Sequence, residues 1–256
     1  MKVKAKKHLG QHFLKNPEIS KRIADAIDAE LEIKSVIEVG PGTGALTRPL
    51  RERFPENLYL MEVDVESIQY QVAIDAFPKP RIFNQDFLKA DLSSFEAPIV
   101  VTGNFPYNIS SQIVFKVIED RDKVNQLVGM FQKEVAERIC SGPGSKVYGI
   151  ISVLTQLYFD CEYLFTVGED EFDPPPKVKS GVLRMVRREG GSQIKTSDKF
   201  FWRVVKAGFN LRRKTLRNSL KSMMPEGFTH QLLSQRPEQL SIAEFDDLAF
   251  SLEKAM

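Results

Sequence analysis

The chain has 256 residues, of which 42% are hydrophobic and 27% are charged, so it is long enough for one or two domains with a real core and is not mainly disordered. No stretch of 18 uncharged apolar residues occurs, so no membrane span is expected. The basic N-terminus lacks the apolar run of a secretory signal, which favours the cytoplasm. The only cysteines, Cys140 and Cys161, form no CxxC pair, so neither a disulfide scaffold nor a metal site is expected.

The net charge of +2 conceals a strong segregation of charge along the chain. Residues 1–22 hold seven basic residues and one acid, and residues 177–221 hold fourteen basic residues and two acids. The segment between them and the segment after them are both net acidic. Two basic segments favour contact with a polyanion such as nucleic acid. The alternative is a solvated basic surface without such a role.

Short β-branched runs alternate with amphipathic stretches between residues 35 and 186. The predicted strands are 35–40, 58–64, 81–85, 98–103 and 125–131, and the predicted helices are 44–54, 65–76 and 110–119. Strands separated by helices of this length favour an α/β fold with a doubly wound, mainly parallel sheet. Segment 148–159 is apolar on nearly every side, which leaves helix or strand open, and 182–186 is predicted to be a late edge strand.

Gly190-Gly-Ser192 is predicted to be a linker. After it, apolar residues recur every three or four positions from Phe201 to Phe209, and Ser241 begins a capping box that predicts a last helix. We therefore predict two domains. An α/β domain with a basic N-terminal arm covers residues 1–189, and a small α-helical domain covers residues 190–256.

A glycine-rich loop, Gly40-Pro-Gly42-Thr-Gly44, joins the first predicted strand to a helix. Glycine at such a turn lets a ligand approach the N–H groups of the helix start. The spacing differs from the dinucleotide fingerprint G-x-G-x-x-G, and no Lys-Ser/Thr pair follows it to make a phosphate loop. Alone, the loop is a weak signal, because tight strand–helix turns use glycine in any case.

An acidic residue lies at the end of the second predicted strand, and another follows the third. Glu62 lies 18 residues after Gly44, where a carboxylate can accept both hydroxyls of a ribose, and Asp86 is placed to accept from an adenine amino group. The alternative for either acid is a helix cap. Because parallel strands open on one edge of the sheet, the loop and the two acids together favour a nucleoside-bearing cofactor. The loop spacing favours S-adenosylmethionine over NAD.

The turn Asn104-Phe105-Pro106-Tyr107 follows the fourth predicted strand. The amide oxygen of Asn104 can accept one N6 hydrogen of an adenine, and the carbonyl of Phe105, next to the rigid proline, can accept the other. The ring of Tyr107 can stack on a flipped base. Methyl transfer from a sulfonium needs no ionised general base, so the site only has to accept the two N–H groups and hold the nitrogen lone pair in line with the methyl group. The alternative is an ordinary Asn-x-Pro turn.

This turn resembles the N-[LI]-P-Y motif of the ribosomal RNA adenine dimethyltransferase family, with Phe105 in place of the commoner Leu or Ile. Other segments within residues 6–222 are similar to family motifs in the same order: Gly10-Gln-His-Phe-Leu14, Phe131-Gln-Lys-Glu-Val-Ala-Glu-Arg138, Phe172-Asp-Pro-Pro-Pro-Lys-Val-Lys-Ser180 and Asn210-Leu-Arg-Arg-Lys-Thr-Leu-Arg-Asn-Ser-Leu220. The resemblance implies a Rossmann-like methyltransferase sheet. The last segment is typical of the housekeeping small-subunit enzymes rather than of resistance enzymes that modify the large subunit.

The resemblance also implies roles for single residues. The implied binding residues for S-adenosylmethionine are His12, Leu14, Gly40, Gly42, Glu62, Asp86 and Asn104. The catalytic turn is residues 104–107, and Tyr107 and Phe172 would sandwich the target adenine. Read from the residues alone, Phe172 is a ring on a loop stiffened by three prolines, and the alternative for it is core packing.

Basic residues recur at four-residue spacing in the predicted helical domain, at Arg213, Arg217 and Lys221, opposite the apolar Leu216 and Leu220. Together with the basic N-terminal arm, this stripe favours contacts with RNA phosphates. The alternative is a solvated helix face.

The resemblance implies a substrate, which is two adjacent adenosines in the 3′-terminal hairpin loop of small-subunit (16S) rRNA within a 30S-type particle. The implied product is N6,N6-dimethyladenosine, made by a monomer without a metal that acts in ribosome biogenesis. Three alternatives stay open. They are a resistance-type methyltransferase of large-subunit (23S) rRNA, a DNA adenine methyltransferase and a catalytically idle ribosome assembly factor.

Overall fold

A computed structural model of the chain describes residues 3–74, 76–211 and 213–256. Within these residues the strands are β1 (Phe13–Leu14), β2 (Ser35–Val39), β3 (Leu58–Glu62), β4 (Ile82–Asn84), β5 (Ile99–Asn104), β6 (Val124–Gln132), β7 (Phe159–Val167), β8 (Phe172–Asp173) and β9 (Ser180–Arg187). The α-helices are α1 (Pro17–Asp25), α2 (Thr47–Arg53), α3 (Val65–Ala73), α4 (Ser110–Glu119), α5 (Lys133–Cys140), α6 (Ile150–Tyr158), α7 (Asp198–Asn210), α8 (Leu216–Ser219) and α9 (Ile242–Ala255). None of these helices is long and apolar enough to cross a membrane.

The central sheet has the strand order β4-β3-β2-β5-β6-β9-β7. Strands β4, β3, β2, β5 and β6 run parallel to one another, and β9 runs antiparallel to β6. The predicted doubly wound, mainly parallel sheet is therefore confirmed. The order reverses between β2 and β5, because the chain first winds outward to β4 and then returns to the other side of β2. In such sheets a crevice forms at this reversal, beyond the carboxyl ends of the strands.

The burial of the strands explains their places in the sheet. Every residue of β2 is buried, as is typical of a parallel strand covered on both faces. The prediction of an edge strand at 182–186 is wrong, because β9 lies between β6 and β7 and buries Val182 and Leu183 fully. The edge strand at this end of the sheet is β7, whose residues between Phe159 and Val167 are exposed or partly exposed. The ambiguous segment 148–159 contains α6 and the first residue of β7.

The chain divides into two compact units. The first comprises the residues up to Ala136 together with Asp160–Arg187, and the second comprises Glu137–Phe159 and Arg188–Met256. The second unit thus includes a segment that was predicted to lie in the first domain. The physical reason is that α6 is apolar on nearly every side and is covered within the second unit, where Trp202 Nε1 donates a hydrogen bond of 2.9 Å to the hydroxyl of Tyr158.

The second unit is largely helical. Helix α7 buries the predicted apolar residues at 201, 204, 205 and 209. The predicted capping box begins α9, where Ser241 Oγ accepts from the backbone N–H of Glu244 and the Glu244 carboxylate accepts from the N–H of Ser241. Both observations confirm the predicted helices.

The basic residues at 213–221 do not lie on one continuous helix, as their spacing had suggested. Helix α8 has only four residues and begins after Thr215, so Arg213 precedes it, and Lys221 follows it in a 3-10 turn. Pro225 lies two residues beyond that turn, where a proline disfavours continued helix. All three basic side chains are exposed, and Leu216 and Leu220 are buried. Arg212, in the same segment, lies outside the described residues.

Candidate active site

A cavity of about 390 Å³ lies in the first unit at the carboxyl ends of β2, β3 and β5. The structure brings all but one of the site residues predicted in this unit to its wall. They are His12, Leu14, Gly40, Gly42, Glu62, Asp86, Asn104, Phe105, Pro106 and Tyr107. No group of three or more His, Cys, Asp or Glu residues suited to a metal ion occurs in the part of the chain that the structure describes.

The glycine loop forms the floor of the cavity between β2 and α2. Gly40 and Gly42 have φ angles of +69° and +53°, which residues with a Cβ rarely adopt. A Cβ on Gly42 would also lie 2.9 Å from Cε1 of Phe13. The loop is held by a hydrogen bond of 3.0 Å from Gln71 Nε2 to the carbonyl of Gly42. Glycine is therefore required for the shape of this turn, which leaves its backbone open to a ligand.

Glu62 ends β3 with its side chain buried next to the glycine loop. Its Oε1 accepts hydrogen bonds from the N–H groups of Val63 and Asp64, at 2.8 and 2.9 Å, whereas Oε2 accepts only a long one of 3.4 Å from Gly42. Burial raises the pKa of Glu62, and these backbone hydrogen bonds act in the opposite direction. One carboxylate oxygen therefore keeps strong acceptor capacity towards the cavity.

Asp86 follows β4 and also lines the cavity. Its Oδ1 accepts a hydrogen bond of 3.0 Å from the N–H of Leu88, which caps a short 3-10 turn. The helix-cap alternative thus holds for one oxygen of this side chain. The other oxygen lies 4.0 Å from Lys89 Nζ, so it remains able to accept from a ligand.

Asn104 is the last residue of β5, and its amide has a fixed orientation. Its Nδ2 donates a hydrogen bond of 2.7 Å to the carbonyl of His12, so the amide oxygen remains as an acceptor. The next residue, Phe105, is 1% exposed, with its ring 4.9 Å from that of Phe131. A Cβ on Gly129 would lie 2.3 Å from this ring. The buried ring of Phe105 therefore anchors the turn in the hydrophobic core.

Tyr107 completes the turn, and both its hydroxyl and its ring have a neighbour. Its hydroxyl lies 2.5 Å from Oγ of Ser180, and its ring is stacked on that of His12 with centroids 5.6 Å apart. Nδ1 of His12 lies 2.8 Å from the carbonyl of Pro174, which can only accept, so this nitrogen carries the proton. Burial raises the pKa of Tyr107, so the phenol stays protonated at neutral pH.

Phe172 is the predicted site residue that the structure does not bring to the cavity. It pairs with Leu14 between β8 and β1, is 1% exposed and belongs to the hydrophobic core. In this structure Phe172 packs in the core, as the alternative states, and does not present its ring to the cavity opposite Tyr107. The ring that lies beside Tyr107 is that of His12.

Residues 6–14, here called the N-terminal strap, form one wall of the cavity. Lys6 Nζ lies 2.5 Å from Oδ1 of the buried Asp64, and Gln11 Nε2 donates to Oδ2 at 3.3 Å. Burial alone would raise the pKa of Asp64, but its hydrogen bonds with Lys6, Gln11 and Ser67 hold it below the usual value. Asp64 therefore stays ionised and ties the strap to the start of α3.

Several cavity residues were not predicted from the sequence. They are Leu9, Gly10, Gln11, Phe13, Ile23, Glu38, Pro41, Thr43, Ala45, Leu46, Val63, Leu88, Asn108 and Ile109. Most of them lie within two positions of a predicted residue along the chain, so a wider window around each motif would have found them. The anchoring role of Asp64 has a weaker signal, namely its position two residues after Glu62.

A parallel sheet that presents a glycine loop, two acids and an Asn-Phe-Pro-Tyr turn at one edge defines a Rossmann-like methyltransferase. Two solved structures agree with this class. A dimethyladenosine transferase from Plasmodium falciparum is 26% identical with a TM-score of 0.75, over 94% of this chain and 97% of that one. The 23S rRNA methyltransferase ErmE is 27% identical with a TM-score of 0.67, over 92% and 99%.

The chain belongs to the ribosomal RNA adenine dimethylase family, whose model matches residues 2–249. It is 50% identical to a ribosomal RNA small subunit methyltransferase A from Flavobacterium johnsoniae, over 98% of this chain and 97% of the relative. A protein of the same name from Cytophaga hutchinsonii is 48% identical over 96% of both chains.

We predict that Lys6→Met loosens the N-terminal strap, because Asp64 loses its charged partner and its pKa rises. Amide hydrogen exchange over residues 9–14, measured by mass spectrometry, should become several-fold faster. The control is Lys7→Met, which removes the neighbouring, exposed lysine. Equal protection of the strap in both variants would show that the Lys6–Asp64 pair does not hold it.

Proposed function

We propose that this protein transfers methyl groups from S-adenosylmethionine to N6 of two adjacent adenosines in the 3′-terminal hairpin loop of 16S rRNA. The observation that carries the proposal is the amide of Asn104, whose oxygen is left as an acceptor in the same cavity as Glu62 and the glycine loop. The near full-length relatives named for the small subunit support that substrate, since they are about 50% identical, against 27% for the 23S enzyme.

The cavity residues fit S-adenosylmethionine. Glu62 has a carboxylate oxygen with strong acceptor capacity for ribose hydroxyls, and Asp86 has one for the adenine amino group. The backbone of Gly40 and Gly42, opposite His12 and Leu14 of the strap, would hold the methionine end. When bound, the cofactor supplies a methyl group on a sulfonium, a good leaving group.

The chain's own residues position the target amine. The oxygen of Asn104 and the carbonyl of Phe105 accept the two N6 hydrogens, so the nitrogen lone pair is left to face the methyl group. The ring of Tyr107 supports the base by stacking. No ionised base is required, and the proton of the methylated amine passes to solvent. For the second transfer the amine keeps one hydrogen, so one acceptor is sufficient.

The first test is methylation of small ribosomal subunits from cells that lack this modification, with labelled S-adenosylmethionine and mass spectrometry of the nucleosides. The wild-type protein should give N6,N6-dimethyladenosine in 16S rRNA. Asn104→Ala should lower the rate by about 100-fold or more, because a precisely placed acceptor is lost. The control is Asn57→Ala, outside the cavity, with unchanged activity.

Other outcomes would change the assignment. Label in free 23S rRNA or in DNA would keep the chemistry of the site and replace the substrate. Tight binding to the subunit without any transfer would identify an assembly factor. If the assignment holds, we expect a monomer that acts on a 30S-type particle in the cytoplasm.

Cofactor affinity should depend on pH through Glu62. Ribose hydroxyls donate to the ionised carboxylate, so affinity should fall as the pH drops through the raised pKa of Glu62, beginning above its ordinary value of 4.5. Glu62→Gln should bind S-adenosylmethionine about tenfold more weakly at neutral pH and lose this pH dependence.

Isothermal titration calorimetry of cofactor binding at several pH values, from about 4.5 to about 8, measures both effects. Because a raised pKa makes the ionised carboxylate unfavourable in the folded protein, Glu62→Gln should be no less stable than wild type at neutral pH. The control, Glu56→Gln, alters an exposed carboxylate and should keep the wild-type curve. A Glu62→Gln variant with wild-type affinity would remove Glu62 from the site.

The exposed residues Arg213, Arg217 and Lys221 of the second unit are proposed to contact RNA phosphates, together with the basic N-terminal arm. Changing all three to Gln should weaken binding to the RNA. The slope of log K against log salt concentration should become less steep by about 0.7–0.9 for each phosphate contact that is lost. Fluorescence anisotropy at several salt concentrations measures it. The charge-matched control changes Lys34, Lys79 and Lys89 to Gln. Equal loss of RNA affinity in both triple variants would contradict the proposal.

A further inference from the structure

Ser180 contacts the turn formed by residues 104–107 and has no assigned role. Its Oγ lies 2.5 Å from the hydroxyl of Tyr107, and the residue is 0% exposed. It does not line the cavity in which the cofactor is expected to bind. Any effect of Ser180 on the reaction is therefore indirect, and its contact with Tyr107 is the hydrogen bond that leads to the cavity wall.

The position of Ser180 is fixed by the sheet. It is the first residue of β9 and pairs with Gln132 at the end of β6. Tyr107 follows β5, which lies on the other side of β6. The side chain of Tyr107 thus reaches past the end of β6, and the hydrogen bond to Ser180 joins a loop residue to a strand of the central sheet.

The ring of Tyr107 has a second neighbour at its face. The ring of His12 is stacked on it with an interplanar angle of 30°. His12 is itself held by the bond from Nδ1 to the carbonyl of Pro174. With the hydroxyl held by Ser180 and one face covered by His12, rotation of the ring about its Cα–Cβ bond would break the hydrogen bond and the stack together.

We propose that Ser180 is a positioning residue for the target base, because it fixes the plane of the Tyr107 ring on which that base stacks. The proposal rests on the function proposed above and deepens it. Stacking depends on the relative orientation of two rings. A ring that is already oriented holds the target amine in line with the methyl group, whereas a ring free to tilt does so for only part of the time.

The test is a double-mutant cycle of Ser180→Ala and Tyr107→Phe, with initial rates of methylation of the small subunit. Each single variant should lower kcat by about tenfold, since misplacement of a reacting group is costly, and the double variant should lose no more than either single one. Independent, multiplicative losses, or wild-type rates in Ser180→Ala, would overturn the proposal.

Rescue separates positioning from general damage to the sheet. Ser180→Thr keeps the hydroxyl and should retain most of the activity, whereas a purely structural role predicts that the larger buried side chain is the worse of the two substitutions. The accumulation of N6-monomethyladenosine relative to the dimethyl product should rise in Ser180→Ala and remain low in Ser180→Thr.

A second measurement does not depend on activity. In protein with ring-labelled tyrosine, the Tyr107 resonance is assigned by its loss in Tyr107→Phe. Ser180→Ala should shift or broaden that resonance and leave those of the other tyrosines in place. An unchanged Tyr107 resonance would overturn the proposal even if the protein methylates a different substrate, while absence of methylation by the wild type with a shifted resonance would contradict only the proposed function.

Discussion

Parallel strands that end together at one sheet edge are the constraint on which this site depends. Gly40, Glu62, Asp86 and Asn104 are far apart along the chain, yet each lies at the end of one of the strands β2, β3, β4 and β5 or within two residues after it. The reversal of strand order between β2 and β5 leaves the crevice uncovered by crossover helices. A cofactor and a substrate can therefore be held by short side chains and by backbone, because the sheet itself provides the alignment.

The remaining walls have a different physical basis, namely contacts between distant segments. The N-terminal strap is held by an ion pair with the buried Asp64 and by the amide of Asn104, which bonds to its backbone. The turn that carries Asn104 is anchored in turn by the buried ring of Phe105 against Gly129. Cofactor site and target site thus share residues of the strap, so a change in one is expected to be felt in the other.

The strand-end residues could be predicted from the sequence because each belongs to a local pattern, a β-branched run followed by a turn or an acid. Phe172 could not, because its environment is set by the pairing of β8 with β1, a contact between segments far apart along the chain. The same limit explains β9, whose neighbour β7 was not predicted, and α6, whose apolar surface does not specify which unit covers it. At 213–221, the spacing of charges suggested a long helix, although α8 begins only after Thr215 and ends at Ser219, after one turn.

The pairing of the strap also determines when the cavity is completed during synthesis. His12 and its partner Pro174 are 162 residues apart, so this contact can form only after Pro174 has been synthesised. The glycine loop, Glu62 and Asn104 are all synthesised before β8, whose Phe172 and Asp173 pair with the end of the strap. In a truncated chain that ends before residue 172, these site residues would be present, but the strap would lack its contacts with β8 and with Pro174.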